Sequence, residues 1–183
     1  MLSQVPSNTD AGYSRYKTLT IYDGYFLKYS KRYFGIAFDW HYFKAQAVAE
    51  SNLRSDAKSP VGAEGLMQIM PRTFGEIRHK NPAIAGTVYH PRWNIAAGIW
   101  YDRDNFVAWT AKRSLVDRIK LMFGSYNAGR GNILKAQRLT IKKGLNATSW
   151  SSIAESLPNV TGTKSEETLT YVTRIFKIIK VLH

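Results

Sequence analysis

Apolar residues recur every three to four positions along most of this chain, and alternation with a period of two is nearly absent. This helical spacing covers residues 19–34, 39–53, 92–109, 114–127, 129–139, 149–157 and 166–182. A chain with such a pattern buries its apolar stripes by packing helix against helix. We therefore expect a mainly α fold, with at most a small β-hairpin in the loop that follows Glu50.

The chain has 183 residues, of which 44% are hydrophobic, and this is enough for one substantial core. Gly, Pro, Ser and Asn cluster at 54–65 and 158–165, which predicts loops there. We expect residues 1–18 to form a flexible N-terminal lead-in and residues 19–183 to form a single domain. Because the chain contains no cysteine, disulfides, a thiolate nucleophile and a cysteine-based zinc site are excluded.

The chain is strongly basic, with 26 Lys and Arg against 13 Asp and Glu and a net charge of +13. This charge favours anionic partners such as nucleic acid, acidic lipid or a cell-wall polymer. No run of like charge exceeds two residues, which indicates dispersed surface charge rather than a specific nucleic-acid site. The N-terminus lacks the cationic start and apolar run of a signal peptide, and no stretch is long enough to span a bilayer.

One acidic residue continues an apolar helix face. In DWHYFKAQAVAES, Phe43, Ala47 and Glu50 fall at positions i, i+4 and i+7. Partial burial and the negative end of the helix dipole are both expected to raise the pKa of the Glu50 carboxyl. A carboxylic acid that is protonated near neutral pH suits cleavage of an ether-like bond. A structural role, in which Glu50 pairs with Arg54 four residues on, stays open.

The segment SPVGAEGLMQIMP follows this helix. Ser59 starts a turn with the proline after it, and Gly62 and Gly65 permit a positive φ or the close approach of another group. Met67 and Gln68 then offer a soft side chain and an amide to a polar ligand, such as a sugar that carries acetamido groups. Core packing explains the apolar residues of this segment equally well.

The motif SYNAG, Ser125 to Gly129, lies between two predicted helices. Tyr126 and Asn127 offer a ring face and an amide to a ligand at the point where the two helices meet. An Asn-Ala-Gly turn is also a common way to end a helix, so this motif alone has little specificity.

Together and in this order, Glu50-Ser51, SPVGAEGLMQIMP, SYNAG and ETLTYV resemble the motifs of the lytic murein transglycosylases that have a goose-lysozyme-like catalytic domain. DWHYFKAQAVAES and NIAAGIWYDRD are also similar to the pattern of the membrane-bound F branch. The resemblance covers about residues 20–180. It implies a lysozyme-like fold of the α+β superfamily in which helices dominate.

The resemblance implies a role for each matching residue. Glu50 matches the single catalytic acid of the family, and Tyr171 matches a tyrosine whose hydroxyl reaches toward that acid. Glu167 is expected to be structural, and Glu64, at a variable position, receives no role. The residues that match substrate-binding positions are Ser51, Ser59, Met67, Gln68, Tyr126, Asn127 and Tyr171.

The implied reaction cleaves the β-1,4 bond between N-acetylmuramic acid and N-acetylglucosamine and forms a 1,6-anhydromuramyl product. Glu50 is expected to act first as acid and then as base, while the acetamido group of the substrate stabilises the developing cation. A hydrolytic muramidase of the same fold and a non-catalytic wall-binding module of a virion stay open as alternatives. No cofactor and no metal is expected, because four histidines are too scattered in the sequence to predict a site: His41, His79, His90 and His183.

The implied partner is the peptidoglycan glycan strand, and the positive charge is expected to attract anionic envelope polymers. We expect a monomer with no specific nucleic-acid partner. Because no signal peptide is evident, we expect a bacteriophage endolysin or virion enzyme, or a domain excised from an envelope protein, that acts on the cell wall in the periplasm.

Overall fold

The computed structural model describes residues 10–183, which are mainly helical. Among these residues no strand forms, and β pairing is limited to isolated bridges between Lys58 and Glu64 and between Glu64 and Ile69. The mainly α fold is thereby confirmed, and the bridges lie in the loop where a small β element is expected. The helices are α1 (Asp10–Tyr13), α2 (Arg15–Thr18), α3 (Asp23–Phe34), α4 (His41–Ser51), α5 (Pro71–Lys80), α6 (Pro91–Ala108), α7 (Leu115–Ala128), α8 (Arg130–Lys142), α9 (Trp150–Ser156), α10 (Pro158–Thr161) and α11 (Lys164–Leu182).

Besides the short α1 and α2, two helices form where apolar spacing does not predict them. α5 is mostly polar, and its buried residues are Phe74 and Ile77 alone. α10 lies inside the predicted loop at 158–165 and buries no residue. Both begin with a proline, whose fixed φ and missing N–H suit the first helical position. α5 is polar overall and has few apolar residues, and the four residues of α10 are too few to show a helical period, so the spacing misses both.

The predicted lead-in of residues 1–18 lies partly outside the described residues. From residue 10 onward it forms α1 and α2, and the rings of Tyr13 and Tyr16 are buried. The Tyr16 hydroxyl donates a hydrogen bond to Asn52 Oδ1 at 3.1 Å. This part of the chain therefore differs from the predicted flexible lead-in, because burial of two large rings holds it in place.

The described residues divide into two compact units. Unit 1 runs to Ile99 and includes Ile175–His183, and unit 2 comprises Trp100–Arg174. In residues 10–183, no helix combines the length and the apolar character that crossing a bilayer requires.

In unit 1, α4 is buried over most of its surface. Every residue from Phe43 to Val48 is buried, and the ring centroid of Phe43 lies 5.0 Å from that of Phe34. Lys44 is also buried, with its Nζ 2.9 Å from Asp23 Oδ1 at the start of α3. A buried ammonium loses its water, so the Asp23 carboxylate has to replace that hydration. Packing and this ion pair fix the helix that carries Glu50.

Unit 2 is built on α7, α8 and α9, which pack against one another. Ser114 caps α7 by accepting the Asp117 N–H at 3.0 Å, and Asp117 Oδ1 accepts the Trp150 N–H at 2.8 Å at the start of α9. A Cβ added at Gly124 of α7 would lie 2.6 Å from the Trp150 ring. Glycine at this position therefore permits the close approach of α7 and α9.

Candidate active site

Glu50 lies in the last turn of α4 and is partly buried. Phe43 and Ala47 on the same face are fully buried, as the spacing predicts. The unpaired carbonyl groups at the end of a helix carry a partial negative charge, which favours a neutral side chain there. Arg54, the alternative partner predicted for Glu50, has its Nε 3.5 Å from Asp56 Oδ1.

The loop after α4 contains unusual backbone conformations. Among the described residues, three non-glycine residues have a positive φ: Asn52 at 55°, Leu53 at 59° and Gln68 at 46°. Each such conformation costs about 1–3 kcal/mol and persists only where the surrounding structure enforces it. Asn52 and Leu53 directly follow the end of α4, Gln68 lies near the end of the loop, and strained backbone of this kind concentrates at functional sites.

Ser51 joins the end of α4 to this loop. Its side chain is buried, and the hydroxyl oxygen lies 3.1 Å from the Ala47 carbonyl and 2.9 Å from the Leu66 carbonyl. The bond to Leu66 holds the loop backbone beside the helix end. The structure therefore places Ser51 as a support of the loop, which differs from the predicted contact with substrate.

The two central residues of the loop differ in their surroundings. Met67 is fully buried, and a Cβ added at Gly98 of α6 would lie 2.8 Å from its side chain. Met67 thus packs in the core of unit 1 instead of lining a groove as predicted. Gln68 is partly exposed, and its Nε2 donates to the carbonyl groups of Ala57 at 3.2 Å and Gly65 at 3.0 Å.

Ser59 and Glu64 shape the first half of the loop. Ser59 Oγ accepts the Ala63 N–H at 2.9 Å, which closes the predicted turn. Glu64, which has no predicted role, is buried, with its Oε1 3.3 Å from Lys58 Nζ and 3.3 Å from the Tyr89 hydroxyl. Both side chains therefore hold the loop in its present conformation.

Asn94 of α6 organises the same loop, and no motif predicts it. Its Nδ2 donates to the carbonyl groups of Glu64 and Val88, each at 2.9 Å, and its Oδ1 accepts the Met67 N–H at 2.7 Å. A Cβ added at Gly65 would lie 2.4 Å from this Nδ2, so only glycine fits there. A signal exists in the sequence, because Asn94 is a polar residue directly before the small apolar run of residues 95–98.

The predicted residues of the second motif lie in unit 2. α7 ends at Ala128, and Gly129 follows with a φ of 82°, so the predicted turn between two helices is confirmed. Asn127 Oδ1 accepts the Thr168 hydroxyl at 2.7 Å, and its Nδ2 donates to Glu167 Oε1 at 3.4 Å. These bonds orient the amide from α11.

A cavity of about 220 Å³ adjoins this amide. It is smaller than a typical small-molecule pocket of roughly 300–1,000 Å³, so its size suits part of a sugar instead of a whole ring system. Its lining is mostly polar and consists of Asn127, Ala128, Asn132, Thr161, Lys164, Glu167 and Thr168.

Two tyrosines complete the predicted set in unit 2. The Tyr126 ring is partly exposed, and its centroid lies 5.4 Å from that of Tyr101. Tyr171 of α11 is buried. The predicted site residues thus divide between the units, with Glu50, Ser51, Ser59, Met67 and Gln68 in unit 1 and Tyr126, Asn127 and Tyr171 in unit 2.

Proteins of known structure share this fold. The lytic transglycosylase Slt from Pseudomonas aeruginosa, in an inactive mutant form, gives a TM-score of 0.69 at 24% identity over 89% of this chain. The 70 kDa soluble lytic transglycosylase Slt70 from Escherichia coli gives a TM-score of 0.67 at 26% identity, also over 89% of this chain. The alignment covers 24% of each of those chains.

Comparison of the sequence with known proteins agrees with this structural comparison. The membrane-bound lytic murein transglycosylase F of Vibrio vulnificus (strain YJ016) is 34% identical over 123 residues, which are 66% of this chain and 22% of that protein. This chain therefore spans less than a quarter of the length of that relative. The model of the transglycosylase SLT domain matches residues 25–148, a range that includes Glu50, the loop and SYNAG but ends before Tyr171. Because this range is well over half of the chain, the protein belongs to the transglycosylase SLT domain family.

Proposed function

We propose that this domain cleaves the glycan strands of peptidoglycan as a lytic transglycosylase. The observation that carries the proposal is Glu50, held partly buried at the end of α4 beside a loop that Ser51 and Asn94 fix. Slt70 is named a lytic transglycosylase, and the Vibrio vulnificus relative and others like it are named lytic murein transglycosylases. The substrate class that we propose for this chain, murein, is the one that their names give.

The proposed reaction uses one carboxyl group twice. The Glu50 carboxylic acid gives its proton to the glycosidic oxygen between N-acetylmuramic acid and N-acetylglucosamine, and the bond from C1 to that oxygen breaks. The acetamido group of the muramyl residue stabilises the positive charge at C1. The Glu50 carboxylate then takes the proton of the C6 hydroxyl, whose oxygen closes onto C1. The product is a 1,6-anhydro sugar, no water is consumed, and Glu50 is again protonated.

The positions of the other acidic side chains support a mechanism with a single carboxyl group. In unit 1, five of them lie within ion-pair distance of a basic residue, which suits a structural role better than a second catalytic one. The closest distances for these pairs are 2.9 Å for Asp23 and Lys44, 2.7 Å for Asp39 and His41, 3.5 Å for Asp56 and Arg54, 3.3 Å for Glu64 and Lys58, and 3.1 Å for Glu76 and Arg72.

For unit 2 we propose a binding role. The Asn127 amide is oriented by Thr168 and Glu167 beside a small polar cavity, which suits recognition of one polar substituent of a sugar. The partly exposed ring of Tyr126 offers a stacking face. The role of Tyr171 near the acid stays a prediction from the resemblance.

Replacement of the acid tests this proposal. Glu50→Gln keeps the size of the side chain but cannot exchange the proton, so we expect digestion of purified sacculi to slow by about 10²–10⁴-fold. The matched control is Glu76→Gln, because Glu76 lies in the same unit and pairs with Arg72 on an exposed helix face. Equal digestion by the parent and Glu50→Gln would show that Glu50 is not the acid.

The mass of the products distinguishes the alternatives. A lytic transglycosylase yields anhydromuramyl ends, whereas a hydrolytic muramidase yields products heavier by one water for each bond cut. Sacculi that bind the parent protein but stay intact favour a non-catalytic wall-binding module. Action as a monomer and delivery as a bacteriophage endolysin or virion enzyme stay predictions.

A further inference from the structure

Three potential metal ligands meet at the start of α4. Asp39 Oδ1 lies 2.7 Å from His41 Nδ1, and Asp39 Oδ2 lies 2.7 Å from His183 Nε2. One ligand atom from each residue lies within 4.8 Å of the other two. Asp39 and His183 are 144 positions apart in the sequence, and all three residues belong to unit 1. Of the four histidines that look scattered in the sequence, the fold thus brings two together.

Further contacts hold the side chain or the backbone of each of the three residues. The His41 ring stacks on Trp40, with 3.9 Å between the ring centroids. The Asp39 carboxylate accepts the backbone N–H of His41 at 3.0 Å. Lys17 Nζ donates to the carbonyl oxygen of His183 at 3.0 Å. Such supporting contacts orient ligands before a metal ion arrives.

The two imidazoles direct one nitrogen each at the same carboxylate. An ionised carboxylate can only accept hydrogen bonds, so both of these nitrogens carry a proton in the hydrogen-bonded arrangement. A neutral imidazole can move its proton to the other nitrogen, Nε2 for His41 and Nδ1 for His183. The lone pairs freed on His41 Nδ1 and His183 Nε2 can then bind one cation together with the Asp39 carboxylate.

We propose that Asp39, His41 and His183 bind one divalent transition-metal ion of the Zn²⁺ type. Two imidazole nitrogens and one carboxylate oxygen are a donor set that such ions prefer. Metal–ligand bonds of about 2.0–2.1 Å in tetrahedral geometry place the ligand atoms about 3.3 Å apart. The ligand atoms of the cluster already lie within 4.8 Å of one another, so only a small contraction is needed to reach that spacing.

The surroundings allow an ion to enter. The side chains of Asp39, His41 and His183 are 32%, 29% and 56% exposed, so a water molecule can reach the ion as its fourth ligand. The net charge of +13 and the Lys17 ammonium repel a divalent cation. Added salt weakens this repulsion, because at 0.1 M ionic strength exposed charges more than about 10 Å apart are largely screened from one another. A bound ion would link the start of α4 to the residue that follows α11.

The test is titration of the EDTA-treated protein with ZnCl₂ at pH 7.5, followed by calorimetry and thermal unfolding. We expect one ion per chain and a Tm increase of about 5 °C or more at a 100-fold excess over Kd. His41→Gln and His183→Gln each weaken binding by at least about tenfold, since even loss of a supporting contact has that effect. ¹H–¹⁵N NMR of the parent shows metal-induced shifts at His41 Nδ1 and His183 Nε2.

His79→Gln and His90→Gln are the matched controls, because they remove histidines outside the cluster, and they keep the affinity of the parent. Circular dichroism before the titration confirms that each variant is folded. Absence of binding to the parent, or equal affinity in His41→Gln and His183→Gln, overturns the proposal. The cluster is then a carboxylate that bridges two imidazoles by hydrogen bonds alone.

Discussion

At the scale of single residues, unit 1 uses its acidic side chains in two different ways. Glu50 stands in the last turn of a buried helix, whereas Asp39, just before that helix, holds two histidines and a backbone N–H. The first arrangement suits proton transfer and the second suits attachment of chain segments. The environment, and not the residue type, therefore distinguishes the carboxyl group that we propose as catalytic from one that holds the structure together.

Asp39 has a predictable effect on stability at low pH. Burial by itself would raise the pKa of Asp39, but hydrogen bonds from the His41 N–H and from the rings of His41 and His183 outweigh burial and lower this pKa below its ordinary value of 3.8. A lowered folded pKa adds stability above the unfolded value, and this stability is lost as the pH falls through the folded value. We expect the advantage of the parent over Asp39→Asn to shrink as the pH falls below about 3.8.

Urea unfolding in EDTA, from pH 6 to pH 2.5, measures this effect. Asp56→Asn is the control, because Asp56 is exposed and pairs only with an exposed arginine side chain on its own loop. If the difference between the parent and Asp39→Asn were the same at both ends of this range, the histidines would not be what stabilises the charged carboxylate.

At the scale of elements, the loop after α4 depends on α6. The bonds of Asn94 and the contact between Gly98 and Met67 hold residues 64–68 against that helix. Gln68 keeps a positive φ because this part of the loop cannot relax without breaking these contacts. The loop beside Glu50 is thus a rigid part of unit 1.

Asn94→Ala tests this dependence. It leaves the Met67 N–H and the Val88 carbonyl without the Asn94 partner, while the Glu64 carbonyl still accepts the Ile69 N–H, so we expect a loss of about 3 kcal/mol in the free energy of unfolding. We also expect kcat on sacculi to fall in the fraction that stays folded, because the loop backbone shifts. The exposed Asn159→Ala serves as control and should change stability by about 0.5 kcal/mol or less. A folded Asn94→Ala variant with the kcat of the parent would show that catalysis does not depend on how Asn94 holds the loop.

At the scale of the whole molecule, the net charge of +13 is the property that reaches farthest into solution. Murein and its attached acidic polymers are anionic, so we expect attraction to concentrate the protein on the wall before any specific contact forms. The screening length falls from about 10 Å at 0.1 M salt to about 3 Å at 1 M salt. Binding that depends on this attraction must weaken over that range.

We expect sedimentation with purified sacculi to show binding that falls steeply with added NaCl. Replacing the exposed Lys142 and Lys143 by Glu changes each charge by two and takes the net charge from +13 to +9. This variant should bind more weakly at low salt and show a flatter salt dependence, while its rate on bound substrate stays the same. Binding that is indifferent to salt argues against electrostatic attraction and leaves the chemistry of Glu50 untouched.

The amino-acid sequence by itself determined the helical character of the chain, the face that Glu50 shares with Phe43 and Ala47, and the turn after Asn127. These features are local, because they depend on residues within one or two helical turns or on a glycine that accepts a positive φ. The order of four motifs also sufficed to identify the family. α5 and α10 escaped prediction because α5 contains few apolar residues and α10 has only four residues, although each begins with a proline.

Only the tertiary structure decided which residues meet across long separations in the chain. Met67 is in the core because Gly98 leaves room for it, Lys44 is buried because Asp23 lies beside it, and His183 reaches Asp39 over 144 positions. Spacing along a chain predicts which face of a helix a residue occupies, but not what packs against that face. That depends on the path of the whole backbone, which no short-range pattern contains.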